Sequence, residues 1–169
     1  MNTNKSAVAC LIYSADKTSV CLIKRRDVPV WVLTGGGVDP GEKEEVAACR
    51  EAQEELGTPC NVKRLVGVYL PKNKLSRKTH LFELRSLEEI IDRPTEETLG
   101  VKFFPIHQLP AMPPPYKAWI EDGLQVPEGV INYSFVPGVH WGNFIKLSLL
   151  HPLKVLRFIL SRLGMHWNS

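Results

Sequence analysis

Between Gly35 and Thr58 the chain reads GGGVDPGEKEEVAACREAQEELGT: a glycine-rich turn, a Pro40-Gly41 bend, then a run with helical spacing. The run is long enough for about three to four turns of helix. Glu51, Glu54 and Glu55 stand at i, i+3 and i+4 and therefore share one helix face, with Glu44 on that face one to two turns earlier. Val46, Cys49, Gln53 and Leu56 form the opposite stripe, which the pattern predicts to pack on a core.

Such an acidic face lowers the stability of an isolated helix. Like charges at i,i+4 repel by a few tenths of a kcal/mol per pair. Glu54 and Glu55 also occupy the last turn, where the helix dipole disfavours anions. A local rule broken without local gain points to function. Clustered carboxylates with backbone carbonyls and water are the ligands of hard divalent cations, magnesium or manganese. Arg50, four residues before Glu54, is placed to hold one carboxylate and leave the others free. A solvated acidic face is the alternative reading of these glutamates taken alone.

The wider spacing decides between the two. From Gly36 the chain runs through five residues to Glu42, seven more to Arg50, and on through Glu51, Ala52, Gln53, Glu54, Glu55, Leu56, Gly57 and Thr58. This resembles the Nudix box, G-x5-E-x7-R-E-U-x-E-E-x-G-U, where U is bulky and aliphatic. Gly36, Glu42, Arg50, Glu51, Glu54, Glu55 and Gly57 all match. At roughly one in fifteen per position, chance gives seven such matches about once in a million chains of this length. Ala52 is small for its U position and Thr58 is polar. Trp31-Val32-Leu33-Thr34-Gly35-Gly36 is similar to the family's W-x-L-P-G-G entry, with Thr34 in place of proline. None of these departures removes a carboxylate.

At 169 residues the chain suits one domain with a short appendage. A net charge of +3 is too mild to argue for nucleic-acid binding. Cys10, Cys21, Cys49 and Cys60 have no zinc-type spacing, and Cys49 is expected in the core. Reduced thiols, together with an N-terminus unlike a signal peptide and no long apolar run, predict a cytoplasmic protein.

Residues 6–13, 19–24, 30–33, 62–70, 79–85 and 101–105 read as strands, and 115–123 as a final helix. Arg25 and Arg26, at the end of the second strand, point to opposite sides of the sheet. One of them could reach the glycine turn as a substrate-binding residue, or both could be solvent-facing. The loop 71–78 carries Lys72, Lys74, Arg77 and Lys78, able to steer a polyphosphate or simply solvated.

The resemblance covers residues 6–123 and implies an α/β fold, the Nudix α/β/α sandwich with a mixed β-sheet and a strand-loop-helix catalytic motif. It implies domain bounds of 1–125, with 126–169 as a C-terminal extension. It further implies hydrolysis of a phosphoanhydride in a nucleoside diphosphate linked to another group. Mg2+, or Mn2+, would be held by Glu51, Glu54, Glu55 and the Gly35 carbonyl. Glu51, Glu54 or a loop carboxylate, Glu97 in preference to Glu96, would serve as base, and Arg50 would orient the glutamates. The substrate class stays open: nucleoside triphosphates, dinucleoside polyphosphates, nucleotide sugars or RNA 5′ ends. A nucleotide-binding or regulatory module without turnover is the alternative, although such modules typically lose box glutamates.

Within the extension, 129–142 is aromatic and turn-rich and 143–164 is apolar, interrupted by Pro152. On a helix from Lys154 onward, Lys154, Arg157 and Ser161 cluster opposite Leu153, Leu156, Ile159, Leu160 and Leu163. Such a basic amphipathic helix could lie on an anionic membrane, dock on its own domain, or pair with a second subunit to make a homodimer.

Overall fold

The computed structural model describes residues 6–153 and 155–157. Strand β1 (Ala7–Ile12) is a continuous apolar run, buried along almost its whole length. Such a run belongs in the interior of a sheet covered on both faces. It pairs in parallel with β5 (Thr79–Ser86), from Ala7 opposite Thr79 to Ile12 opposite Leu84. β5 pairs antiparallel with β4 (Cys60–Leu70), and β4 pairs in parallel with β7 (Asn132–Phe135). The result is a four-stranded mixed sheet in the order β1-β5-β4-β7. A second, antiparallel sheet has the order β3-β2-β6, from β2 (Ser19–Arg25), β3 (Trp31–Val32) and β6 (Thr98–Pro105).

The glycine turn joins the two sheets. Cys10 N–H donates to the Thr34 carbonyl at 2.8 Å, and Val8 N–H to the Gly36 carbonyl at 2.9 Å. One apolar core lies under helix α1 (Glu44–Leu56) and includes Cys10, Ile23, Ala48, Leu56 and Phe82. The other lies under α2 (Tyr116–Gln125) and includes Leu11, Leu22, Tyr69, Trp119 and Ile120. Sheets between helices make an α/β/α sandwich with a mixed sheet.

The orientation of α1 differs from the periodicity-based expectation. Its inner face is Ala47, Ala48, Glu51, Ala52, Glu55 and Leu56, whereas Val46 is 55% exposed, Gln53 is exposed and Cys49 is only half-buried. Three alanines give a flat surface, so the helix sits close to β1; the Cys10 thiol reaches the Ala48 carbonyl at 3.6 Å. Ala52, small for its position in the motif, is fully buried in this contact. The helix ends at Gly57, which takes a left-handed φ of 69° and donates to the Gln53 carbonyl at 2.8 Å.

The strands read from sequence are found with shifts of one to three residues, β3 being shortened to two. Residues 126 onward contribute more than the pattern suggested. The turn-rich segment contains β7, a four-residue edge strand too short for its alternation to register, and α3 (Trp141–Leu150) follows. Lys154 and 158–169, which hold most of the expected basic amphipathic helix, lie outside the described residues. No helix among the described residues is long and apolar enough to cross a membrane. All four cysteines are free thiols.

One buried charge ties the start of this extension to the sheet. Glu83, 3% exposed on β5, accepts from Arg64 Nε at 2.7 Å and from Lys17 and Lys63 at 3.1 Å each. The Arg64 guanidinium continues to the carbonyls of Gly123 and Val126 at 2.7 Å and of Pro127 at 3.2 Å, closing the C-terminus of α2. Replacing Arg64 leaves a buried carboxylate with two outer lysines and strips the helix end of its donors. Arg64→Met is expected to lower the unfolding free energy by about 2–4 kcal/mol in urea titration. A change below about 0.5 kcal/mol would show that Glu83 is satisfied without it.

Candidate active site

Two glycines let two carboxylates lie against the backbone. Gly35, with a φ of 144°, donates its N–H to Glu55 Oε2 at 2.9 Å, and a Cβ there would stand 2.3 Å from the Val8 carbonyl oxygen. A Cβ on Gly36 would come within 2.4 Å of the Glu51 carboxylate. Any side chain at either position would displace what the fold has brought together.

Arg50 organises the acidic face. Its Nε and Nη2 hold Glu42 in a fork at 2.9 and 3.0 Å, and Nη2 also donates to the Gly37 carbonyl at 3.0 Å. Its Nη1 reaches Glu51 Oε1 at 2.9 Å and Glu54 Oε2 at 3.3 Å. Glu42 in turn accepts from Asp39 N–H at 3.0 Å. The guanidinium is thus held by the turn on one side and orients two helix glutamates on the other.

Burial works against ionisation of the two inner carboxyls. Burial pushes the Glu55 carboxyl up to about 8; Gly35 N–H opposes this, the charges of Glu51 and Glu97 add to it, and Arg25 opposes it. Glu51 is also raised, first by burial, against the pull of Arg50 and with help from Glu54 and Glu97. Glu54 is the outer member, its side chain about half-exposed.

Glu97 acts on both buried carboxylates, and its loop is fastened toward them. Arg26 N–H donates to the Glu97 carbonyl at 3.0 Å, and Arg26 Nη2 to the carbonyls of Thr95 and Thr98 at 2.8 and 3.2 Å. Of the paired arginines, Arg26 therefore holds this loop. Arg25 is the one whose charge reaches Glu55, while its guanidinium grips Asp27. In the basic loop, Arg77 Nη1 comes within 3.9 Å of where a Cβ on Gly37 would be. The Gly35 N–H anchor was invisible in the sequence because it forms only when the glycine turn meets the end of α1, whereas the Arg25–Asp27 pair joins residues two apart in the chain.

Among the described residues no three His, Cys, Asp or Glu side chains already converge as a metal cage. The carboxylates are instead taken up by Arg50 and Gly35 N–H. The donor set nevertheless fits a hard divalent cation: oxygen ligands only, with two carboxyls buried where desolvation and neighbouring acids disfavour ionisation, so that a bound cation would favour their charged form.

The family model described as the NUDIX domain matches residues 3–125. The chain belongs to the Nudix family. It is 38% identical over 117 residues to a putative 8-oxo-dGTP diphosphatase of Bacillus subtilis (strain 168), covering 68% of this chain and 76% of that one. It is 31% identical over 100 residues to diphosphoinositol polyphosphate phosphohydrolase 3-alpha of Mus musculus, covering 58% of this chain and spanning 61% of that relative. A UDP-X diphosphatase structure superposes with a TM-score of 0.68 at 25% identity, over 79% of this chain and 68% of that one. An ADP-ribose pyrophosphatase from Streptococcus suis 89-1591 gives 0.64 at 21% identity, over 78% and 99%, and shares the fold. The protein is a Nudix-type pyrophosphohydrolase with the α/β/α sandwich of that family.

Glu55 makes stability depend on pH in a defined direction. Its folded value of about 8 lies above the unfolded value of about 4.3, so between them the folded state keeps a proton that the unfolded state has released. Stability of the metal-free protein therefore falls as pH rises through that window and levels off above it. Glu55→Gln cannot ionise yet still accepts from Gly35. Melting temperatures in chelator from about pH 5 to 9 should show a clearly flatter profile for the variant. Parallel profiles would mean that Glu55 is ionised throughout.

Proposed function

We infer that this Nudix hydrolase cleaves a phosphoanhydride bond in a nucleoside diphosphate linked to another moiety, in a magnesium-dependent reaction. The observation that carries the reading is the Arg50 fork, which presents Glu51 and Glu54 beside the buried Glu55 at the glycine turn. Glu51, Glu54, Glu55 and the Gly35 carbonyl would hold Mg2+ (or Mn2+), which when bound neutralises pyrophosphate charge and acidifies a water.

The chain's own groups do the rest. Arg50 orients and does not touch substrate, since its donors are already committed to Glu42, Glu51, Glu54 and the Gly37 carbonyl. Glu97 or a helix glutamate receives the proton of the attacking water. Support for Glu97 comes from its electrostatic reach to Glu51 and Glu55, and from the Arg26 bonds that fix its loop. Arg25 and the basic loop, through Arg77, supply positive charge toward the phosphates. Support for Arg77 is its approach to the glycine turn, and for Arg25 its approach to Glu55.

The name of the Bacillus relative puts 8-oxo-dGTP first in a substrate panel that also includes dinucleoside polyphosphates, nucleotide sugars and RNA 5′ ends. With magnesium present, the native protein should turn over at least one class, with products resolved to show which anhydride breaks. Glu54→Gln, at a half-exposed position, should keep the native melting temperature and lose about 10²-fold or more in kcat/KM. It should also diminish the magnesium-induced rise in melting temperature. Silence across the panel, with magnesium and nucleotide binding intact, would favour a regulatory nucleotide-binding module.

A further inference from the structure

The segment beyond Glu128 has a composition unlike the rest of the chain. Four of the 21 lysines and arginines lie in 129–169 (Lys146, Lys154, Arg157 and Arg162), and none of the 18 acids does. Residues 1–128 therefore carry 17 cations against 18 acids, a net −1, and all the positive excess of the protein resides in this segment.

It is also where apolar side chains remain uncovered. Of 17 large apolar residues exposed among the described residues, ten fall between Val130 and Leu156. On α3, Trp141, Ile145 and Leu149 follow at i, i+4 and i+8 and form one stripe, 57%, 57% and 78% exposed. Leu153 and Leu156 extend the apolar surface beyond it, and Lys146 is exposed on the same helix. On its other side Asn143, Lys146 and Leu150 line a small recess with Pro114, and Asn143 Nδ2 donates back to the Gly138 carbonyl of the same segment at 2.7 Å. The segment then passes the loop beside the active site, where Arg157 Nε donates to the Asp27 carbonyl at 3.2 Å.

We propose that α3, continued by Leu153 and Leu156, forms a peripheral docking surface for anionic phospholipid bilayers, with the Trp141–Ile145–Leu149 stripe entering the interface. An apolar stripe ending in tryptophan, on a segment with cations and no acids, matches a negatively charged lipid surface in both shape and sign. A second copy fits less well. A two-fold contact through this stripe sets the cationic segments of both copies against each other, with no acid in the segment to pair them. The short stripe lies along the surface and does not span it.

Co-sedimentation of the full chain with vesicles tests this, comparing phosphatidylcholine alone with a phosphatidylcholine–phosphatidylglycerol mixture. Binding is expected to the mixture, about tenfold or more over phosphatidylcholine alone, and to weaken as salt is raised. Trp141→Ser with Ile145→Ser and Leu149→Ser should abolish it, and Lys146→Glu should weaken it by about fivefold or more. These side chains are exposed, so circular dichroism and melting temperature should match the native protein. Equal binding to both lipids, or none to either, overturns the proposal. So does a native dimer that the triple serine variant converts to monomer while neither sediments with vesicles, which would make the face a subunit interface. Because no catalytic residue is altered, hydrolysis in solution should persist in every variant.

Discussion

The placement of Arg50 between a loop and a row of glutamates is the interaction on which the site depends. A guanidinium donates in several directions within one plane, and here each direction is used: Glu42 and Gly37 on the turn side, Glu51 and Glu54 on the helix side. Lysine, a point charge without the fork, could not link these partners in the same fixed geometry. The fork also explains how an acidic helix end is tolerated. Its repulsion is partly offset by one cation that is itself fixed by the loop, and the helix packs mainly through three alanines, with Leu56 its one large apolar residue in the core.

Arg50 leaves Glu55 out of its reach, and that omission gives the site its chemical character. Glu55 is 6% exposed, held by a backbone N–H, and acted on by the charges of Glu51 and Glu97, against which Arg25 is the opposing cation. A carboxyl in that position gains from a proton or from a cation. Burial of an incompletely neutralised acid is a cost to the fold, and it is sustained by the surrounding interactions that hold the glycine turn against β1. Those bonds are ordinary backbone pairs between Val8, Cys10, Thr34 and Gly36, so the site's geometry rests on the junction of the two sheets.

The opposite side of the sandwich is organised by the reverse arrangement. Glu83 is as buried as Glu55, yet Arg64, Lys17 and Lys63 outweigh the effect of burial and hold its carboxyl below the usual range. Two buried glutamates in one small domain are thus driven in opposite directions. One is closed by three cations and ties α2 and the following chain to the sheet. The other is left open at the glycine turn, beside the helix whose motif defines the family.

The sequence by itself determined the family, the order of strands and helices from β1 to α2, and the identity of the box glutamates. Those are properties of spacing along the chain: seven side chains at fixed intervals, and apolar runs bounded by turn residues. Tertiary structure decided which way α1 faces, since hydrophobic periodicity ranked Val46 and Cys49 as inward while close packing selected the small alanines. It also decided between the two arginines: Arg26 was drawn to the carbonyls of the 95–98 loop, while Arg25 stayed near Glu55. β7 was illegible because a four-residue edge strand is specified mainly by its partner β4. Local spacing records which groups share a helix face, whereas burial, charge balance and pairing across the fold arise only when distant segments meet.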